Sequence, residues 1–190
     1  MRIRILWHLA RLVTLVFVVG AIGHGLINYI DRLGSPAGHS GVPLHAVTRH
    51  HGCQRHRQLP DPACTPGASL PDVALTQICR RGYTRTVRTG LTQDTKRAVY
   101  AAYGQHHRYN GASGELDHLL PLETGGSNDP ANLWPQPAPA SHNKDLVENY
   151  DNAMVCRHRI PLATAQREIA TDWTAIYRRV GAARLASYGH

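Results

Sequence analysis

The chain has 190 residues, a hydrophobic fraction of 42% and a formal net charge of +8 at pH 7. Its length and composition predict one domain of ordinary size with a short appendage, and they exclude a wholly disordered chain. Arginine carries almost all of the basic excess, and its planar guanidinium group suits phosphate oxygens. Residues 1–32 hold four arginines and one aspartate, so the rest of the chain still carries +5. This charge balance indicates a polyanionic partner.

The N-terminus combines a basic flank with an apolar stretch over residues 12–30. This stretch approaches the length of a membrane-spanning helix, and the basic flank predicts that the chain after it is exported. Its most apolar part, residues 12–22, instead has the length of a signal peptide, and small residues around Ala21 and Gly23 permit cleavage. We therefore interpret residues 1–32 as an apolar helix that is either a membrane anchor or a cleaved signal peptide. Both interpretations predict an exported protein, either anchored with its domain outside the cytoplasm or secreted or periplasmic.

Residues 33–69 are rich in glycine, proline and histidine and show neither helical nor strand periodicity. Such a composition is typical of a solvated linker. Histidines in this segment raise the alternative of a His-rich, metal-binding envelope protein; they are His45, His50, His51 and His56. No cysteine or carboxylate lies at the spacing of a known closed metal site, so the linker interpretation is favoured.

Four cysteines allow three pairings, and an exported chain is where such pairs oxidise. The sequence does not choose among the pairings. The expected pairs are Cys53 with Cys64 and Cys79 with Cys156. The second pair would join the region before the chemical motif to the helix after it.

Residues 70–181 show periodic sequence and are interpreted as the folded domain. Residues 83–88 alternate in a way that predicts a short strand. Thr92 offers a helix N-cap and Gly104 a stop, which predicts a helix between them. A basic cluster in this region would contact a phosphate backbone, although a solvated charged face is the alternative; it consists of Arg80, Arg81, Arg85, Arg88, Lys96 and Arg97.

Two further helices are predicted after the motif region. One begins near Ser141, and the other begins at Pro161 and ends before Gly181, because apolar residues recur at helical spacing in both. Residues 182–190 are interpreted as a tail.

The residues with chemical potential lie between positions 115 and 145. Asp117 and His118 are adjacent, so a carboxylate suited to a hard cation stands beside an imidazole that can accept a proton near neutral pH. Neighbours on a regular strand face opposite ways, so both can reach one phosphate only if the strand twists or ends there, which Pro121 favours. Glu115 would share the strand face of Asp117 and either support that ligand or add another.

A glycine-rich turn at residues 125–130 precedes a short returning strand that contains Asn132. The Asn132 amide would tie the loop backbone together and hold His118 in position. His142 or Asn143 lies at the start of the next helix, where free N–H groups and the helix dipole favour an anionic substrate. Either residue would supply a further polar ligand opposite Asp117.

These features resemble the HNH endonuclease superfamily, whose ββα-metal fold places two strands and a helix around one metal. The resemblance is carried by the Asp-His pair, the Gly-Gly turn, the Asn-Leu-Trp-Pro return and the polar helix start. A wider similarity to mostly uncharacterised bacterial exported HNH proteins runs from about Cys64 to Gly181, through the stretches CTPG, ICRRGYTRTVR and PLATAQREIATDW. It implies an α+β fold in which an HNH core has additional flanking helices.

The resemblance also implies roles for individual residues. His118 would be the general base, Asp117 a metal ligand, Asn132 the structural asparagine, and His142 or Asn143 the second ligand. One divalent ion is expected, with Mg²⁺ preferred over Mn²⁺, Ni²⁺ or Zn²⁺, and no small-molecule cofactor. The sequence departs from many HNH motifs through the Pro/Ala-rich bridge at residues 136–140 and through the lack of a paired CxxC motif.

The expected function is therefore metal-dependent hydrolysis of phosphodiester bonds in nucleic acid, with DNA favoured and low sequence specificity. The competing expectation is a non-catalytic nucleic-acid-binding or DNA-uptake protein of the cell envelope. Metal-dependent cleavage distinguishes the two.

Overall fold

A computed structural model describes residues 41–106 and 108–189 of the chain. The predicted anchor or signal peptide at residues 1–32 lies outside the described residues, as does the first part of the predicted linker. None of the helices in the described ranges has both the length and the apolar character that a membrane crossing requires.

Helices and short antiparallel sheets make up the fold, which confirms the mixed α+β class. The helices of the described residues are α1 (Leu75–Ile78), α2 (Tyr83–Arg88), α3 (Gln93–Ala102), α4 (Ala140–Cys156), α5 (Leu162–Val180) and α6 (Ala182–Ala186). The strands are β1 (Val42–Pro43), β2 (Ala68–Ser69), β3 (Gly114–His118) and β4 (Leu133–Pro137). Strand β1 pairs with β2 and β3 with β4, and the 3₁₀ turns Leu122–Thr124 and Pro130–Asn132 lie between β3 and β4.

The long helices begin and end at the residues that the sequence indicates. In α3 the Thr92 side chain accepts a hydrogen bond from the Thr95 backbone N–H, which satisfies one of the free donors at the helix start. Pro161 precedes α5 and Gly181 follows it. These two predicted helices, together with the one beginning near Ser141, are confirmed.

The core lies where α4, α5 and α6 meet the end of β3. Its buried side chains include Leu120, Val147, Trp173 and Leu185. Removing each such side chain from water stabilises the fold by roughly 1.5–3 kcal/mol. Because Leu185 of α6 is fully buried, the interpretation of residues 182–190 as a tail is wrong for their first part.

Residues 83–88 form helix α2, not the predicted strand. Tyrosine, threonine and valine at alternating positions favour a strand, but six residues are too few for local preference to decide the structure. Gly82 adopts a left-handed conformation with φ 82° and starts the helix, and the Thr86 hydroxyl donates to the Tyr83 carbonyl at 2.7 Å. The correction matters because α2 reaches the site.

Residues 41–69 are part of the folded unit and not a solvated linker. The Leu44 N–H donates to the Gly67 carbonyl at 2.8 Å, and the Gly67 N–H donates to Ala131 at 2.9 Å. Ala68 is fully buried. Backbone hydrogen bonds and a disulfide fix this segment, and neither leaves a periodic pattern in the sequence. The four histidines of the segment are all exposed.

Both predicted disulfides are confirmed, Cys53 with Cys64 and Cys79 with Cys156. The second joins the end of α1 to the last residue of α4. Two disulfides suggest an oxidising environment, since cytosolic thiols are kept reduced.

Candidate active site

A cleft of about 470 Å³ lies between β3, α4 and the region from α2 to the loop before β3. Carboxylates reach it from β3, the 3₁₀ turn and α4; they are Glu115, Asp117, Glu123, Asp145 and Glu148. Cations reach it from α2, α3 and the loop; they are Arg88, Lys96 and Arg108. The cleft therefore joins an acidic side to a basic side.

Another cavity, of about 780 Å³, lies near Leu44, Leu59 and Leu119. Most of the side chains that line it are apolar or uncharged, and its histidines and arginine form no cluster with a carboxylate. The smaller cleft is the one that combines an imidazole with carboxylates, so it is the candidate active site.

Asp117 and His118 both line this cleft. They are the last two residues of β3, where Asp117 lies opposite Trp134 and His118 opposite Leu133 of the partner strand. Neighbouring side chains of a regular strand point to opposite faces. They reach the same cleft here because the strand ends at His118.

Asn132 braces the backbone just beyond the pair. Its Oδ1 accepts hydrogen bonds from the Leu120 N–H at 2.8 Å and the Ala68 N–H at 3.2 Å. Its Nδ2 donates to the Leu120 carbonyl and the Ser127 carbonyl, both at 2.9 Å. Because the side chain is fully buried and every polar atom of the amide is used, Asn132 ties β2, the end of β3 and the glycine-rich turn into one frame.

The His118 imidazole has a buried amide as its partner. His118 Nε2 lies 2.9 Å from Asn128 Oδ1, and Asn128 Nδ2 donates to the Val87 carbonyl at 2.6 Å. Burial lowers the pKa of His118 below its ordinary value, although Asn128 and Asp117 oppose that shift. The imidazole is therefore neutral near pH 7, the form that can accept a proton.

A fully buried ammonium lies beneath the Asp-His pair. Lys144 Nζ is 2.9 Å from Asp117 Oδ2, donates to the His118 carbonyl at 2.6 Å and also donates to Glu148. Burial opposes the charge on Lys144, but Asp117 and Glu148 outweigh it and raise the pKa of Lys144 above its ordinary value. Asp117 Oδ2 is buried in this ion pair, which leaves Oδ1 as the oxygen that can face the cleft.

Further carboxylates add negative charge around Asp117. Burial raises the pKa of Glu115, and the charge of Asp117 raises it further. Asp145 shows the same two causes in the same order, with its pKa also raised. Each of these groups therefore gains from a cation placed near Asp117.

His142 and Asn143 do not line the cleft. His142 is exposed and Asn143 is half-buried on another side of α4. The helix face that meets β3 carries Lys144, Asp145 and Glu148, since residues three and four apart share a helix face. Sequence reasoning missed these three residues, although the i,i+4 spacing of Lys144 and Glu148 was a signal for an ion pair.

The predicted basic cluster divides in two. Arg88 and Lys96 line the cleft. The other members do not line it; they are Arg80, Arg81, Arg85 and Arg97, all exposed. Arg97 pairs with Asp94 on the outer side of α3. Arg108, which the sequence interpretation did not single out, joins the basic side of the cleft and donates to Gln93 at 2.6 Å.

The donor set can be tested against a divalent ion. Within the described ranges, no three histidine, cysteine, aspartate or glutamate side chains lie close enough together to hold a metal by themselves. Mg²⁺ takes oxygen ligands, keeps several waters and needs only one or two protein carboxylates beside substrate phosphate. Asp117 Oδ1, with Asp145 on the adjacent helix, fits such an open site. The residues do not fit a closed protein cage.

Comparison with protein-family models, curated proteins and solved structures found no match. The functional conclusion therefore depends on the chemistry of the cleft.

Proposed function

We propose that the protein is a metal-dependent HNH-type endonuclease that hydrolyses phosphodiester bonds in nucleic acid with low sequence specificity. One observation supports this most: a neutral imidazole and a carboxylate, His118 and Asp117, share a cleft with three cations. Hydrolysis of a phosphodiester needs a base for water and positive charge for the phosphate oxygens. The cleft contains groups suited to both tasks.

In the proposed reaction the cations of the basic side bind the phosphate backbone and orient the scissile phosphate toward His118. His118 takes a proton from the attacking water. Lys144 holds Asp117 and the backbone of His118 in place from below. A divalent ion bound by Asp117 Oδ1, with Asp145 close by, would stabilise the charge that develops on the phosphate oxygens.

Low specificity follows from the contacts that the cleft offers. Arg88, Lys96 and Arg108 suit phosphate oxygens, which are the same at every nucleotide. DNA is the favoured substrate. We further propose that the protein is exported, anchored outside the cytoplasm or secreted or periplasmic, as in the bacterial exported HNH proteins that its sequence resembles; the two disulfides support this.

The first prediction tests the activity. The full-length protein, incubated with plasmid DNA and with RNA, should cleave nucleic acid in Mg²⁺, Mn²⁺, Ni²⁺ or Zn²⁺ and stop after chelation. His118→Ala should lower the cleavage rate by about 100-fold or more, because a positioned general base contributes about 10²- to 10⁴-fold.

Gel electrophoresis measures the cleavage, and circular dichroism checks that the variant is folded. His142→Ala is the matched control, since that histidine lies outside the cleft, and it should cleave at the rate of the wild type. If folded wild-type protein cleaves neither polymer with any of these ions, the nuclease proposal is wrong.

One observation favours a second candidate, a non-catalytic nucleic-acid-binding protein of the cell envelope. Lys144 already forms an ion pair with Asp117, so Asp117 itself does not require a metal ion as a counter-charge. A protein that only binds should show affinity that falls steeply with salt and does not change in Asp117→Ala. Metal-dependent cleavage by the wild type would exclude this candidate.

A further inference from the structure

Asn128 is a fully buried side chain whose two polar ends both have partners. Its Nδ2 lies 2.6 Å from the Val87 carbonyl oxygen, and its Oδ1 lies 2.9 Å from His118 Nε2. A buried amide with two partners cannot rotate without breaking both hydrogen bonds. Its orientation therefore constrains the imidazole.

The carbonyl of Val87 determines which way the amide faces. A carbonyl oxygen only accepts hydrogen bonds, so the group beside it must be the amide NH₂. In the flipped orientation two acceptor oxygens would lie 2.6 Å apart, which is repulsive. The oxygen of Asn128 must therefore face His118.

The same reasoning then assigns the proton on the histidine. Asn128 Oδ1 has no hydrogen to donate, so Nε2 of His118 must be the donor in their hydrogen bond. A neutral imidazole carries one ring proton. With that proton on Nε2, the lone pair lies on Nδ1.

We propose that Asn128 is a positioning residue that fixes His118 in the Nε2–H tautomer, so that Nδ1 is the atom that takes the proton from water. This inference rests on the proposed nuclease function and names the reacting atom within it. Asn128 touches neither water nor phosphate in this role, and it acts through the histidine.

Helix α2 provides the fixed end of this arrangement. Val87 lies in its last turn, and its carbonyl also accepts a hydrogen bond from the Gly90 backbone N–H at 3.1 Å. Arg88, the next residue, lines the cleft. Helix α2 thus carries both the carbonyl that orients Asn128 and one of the cations proposed to bind phosphate.

The second prediction tests the tautomer directly. Long-range ¹H–¹⁵N NMR of ¹⁵N-histidine-labelled full-length protein, at a pH where the imidazole is neutral, should show the His118 proton on Nε2. The signals are assigned by their loss in His118→Ala. A proton on Nδ1 in the wild type would overturn the proposal without any measurement of activity.

Two variants of similar volume separate hydrogen bonding from packing. Asn128→Leu removes the acceptor, so His118 should populate both tautomers and kcat should fall about 10- to 100-fold, the usual effect of losing a group that orients a functional histidine. Affinity for DNA should change little, because the basic side is intact. Asn128→Asp keeps an acceptor oxygen toward His118 Nε2 and should retain the Nε2–H tautomer and more of the activity than Asn128→Leu. Its second oxygen loses the hydrogen bond to the Val87 carbonyl, so this variant should be less stable than the wild type.

Asn152→Leu is the matched control. Asn152 also donates to a backbone carbonyl, that of Glu123 at 2.7 Å, but it does not contact His118. It should leave the tautomer and kcat unchanged. A pure Nε2–H tautomer with full kcat in Asn128→Leu would overturn the proposal.

The two readouts keep the two claims apart. If the wild type cleaves nothing, the nuclease function fails, while the NMR spectrum still decides whether Asn128 sets the tautomer. If Asn128→Leu does not fold, the wild-type and Asn128→Asp spectra decide the question.

Discussion

Lys144 is the shared ion-pair partner of two carboxylates at the candidate site, Asp117 and Glu148. Its side chain is 1% exposed and lies between Asp117 and Glu148, so its removal leaves two carboxylates without their common partner. Breaking a buried ion pair from one side is strongly destabilising, whereas the pair itself contributes less. The lysine is therefore a structural requirement of this particular acidic site.

The third prediction concerns that lysine. Lys144→Met keeps the volume of the side chain and should lower the free energy of unfolding by about 3 kcal/mol. Urea denaturation measures the effect. Lys96→Met is the matched control, as the only other lysine of the chain, and should change stability by no more than about 0.5 kcal/mol. Equal urea midpoints for the two variants would contradict the role given to Lys144.

At the residue scale, the sequence indicated two side chains that line the candidate site, Asp117 and His118, but not the other residues around them. Asp117 and His118 could be predicted because a carboxylate and an imidazole are adjacent in the sequence. Lys144 and Asp145 stand directly after the predicted Asn143, and they were missed because each residue turns a helix by about 100°. Which side chains of α4 face β3 depends on the residue at which the chain leaves β4 and the helix begins. No local sequence pattern specifies that residue.

The interface between α4 and α5 contains a carboxyl group that opposes the fold at neutral pH. Asp151 is 2% exposed, and its Oδ2 has no hydrogen-bond partner in the described part of the chain. Burial raises the pKa of Asp151 to about 7, and the charge of Glu168 contributes to the shift. The folded protein therefore holds this proton up to a higher pH than the unfolded chain does.

The fourth prediction follows from the sign of that shift. Between about pH 4 and pH 7 the folded state binds the Asp151 proton and the unfolded state does not, so stability falls as the pH rises through this range. Asp151→Asn removes the loss. Its free energy of unfolding relative to wild type should rise by roughly 2–4 kcal/mol from pH 4 to pH 7 and then level off.

Urea unfolding at several pH values tests this prediction. Asp94→Asn is the control for the same substitution at the surface, since its side chain is 84% exposed. A pH-independent difference for Asp151→Asn would show that the buried carboxyl group is not protonated in the folded state.

At the element scale, the sequence predicted what is locally determined. Helices α3 and α5 have a cap or a proline at the start and a glycine near the end, and their apolar residues repeat at helical spacing. Helix α2 has neither a side-chain cap nor an apolar stripe, and its six residues acquire their structure from contacts such as that of Val87 with Asn128. Short elements of this kind are decided by tertiary structure.

At the scale of the whole molecule, two disulfides within the described residues close loops of different length. Cys79 and Cys156 are separated by 77 positions, and Cys53 and Cys64 by 11. A longer closed loop removes more conformational entropy from the unfolded chain, about 4–5 kcal/mol for the long loop and about 3 kcal/mol for the short one. The long-range pair is therefore expected to contribute more to stability.

The fifth prediction compares the two bonds. The double variant Cys79→Ala with Cys156→Ala should lose about 1–2 kcal/mol more stability than Cys53→Ala with Cys64→Ala. Urea unfolding of both variants at the same pH measures the difference. The reverse order would show that strain or unfolded-state structure outweighs loop length.

The segment at residues 41–69 has a practical consequence for how the protein is produced. Ala68 supplies one of the four hydrogen bonds of Asn132, and the buried Cys53 and Cys64 belong to the same segment. An expression fragment that starts at residue 70, the domain boundary that the periodic sequence suggests, would lack these contacts and expose the side of the hairpin that they cover. A fragment designed to fold should therefore include residues 41–69.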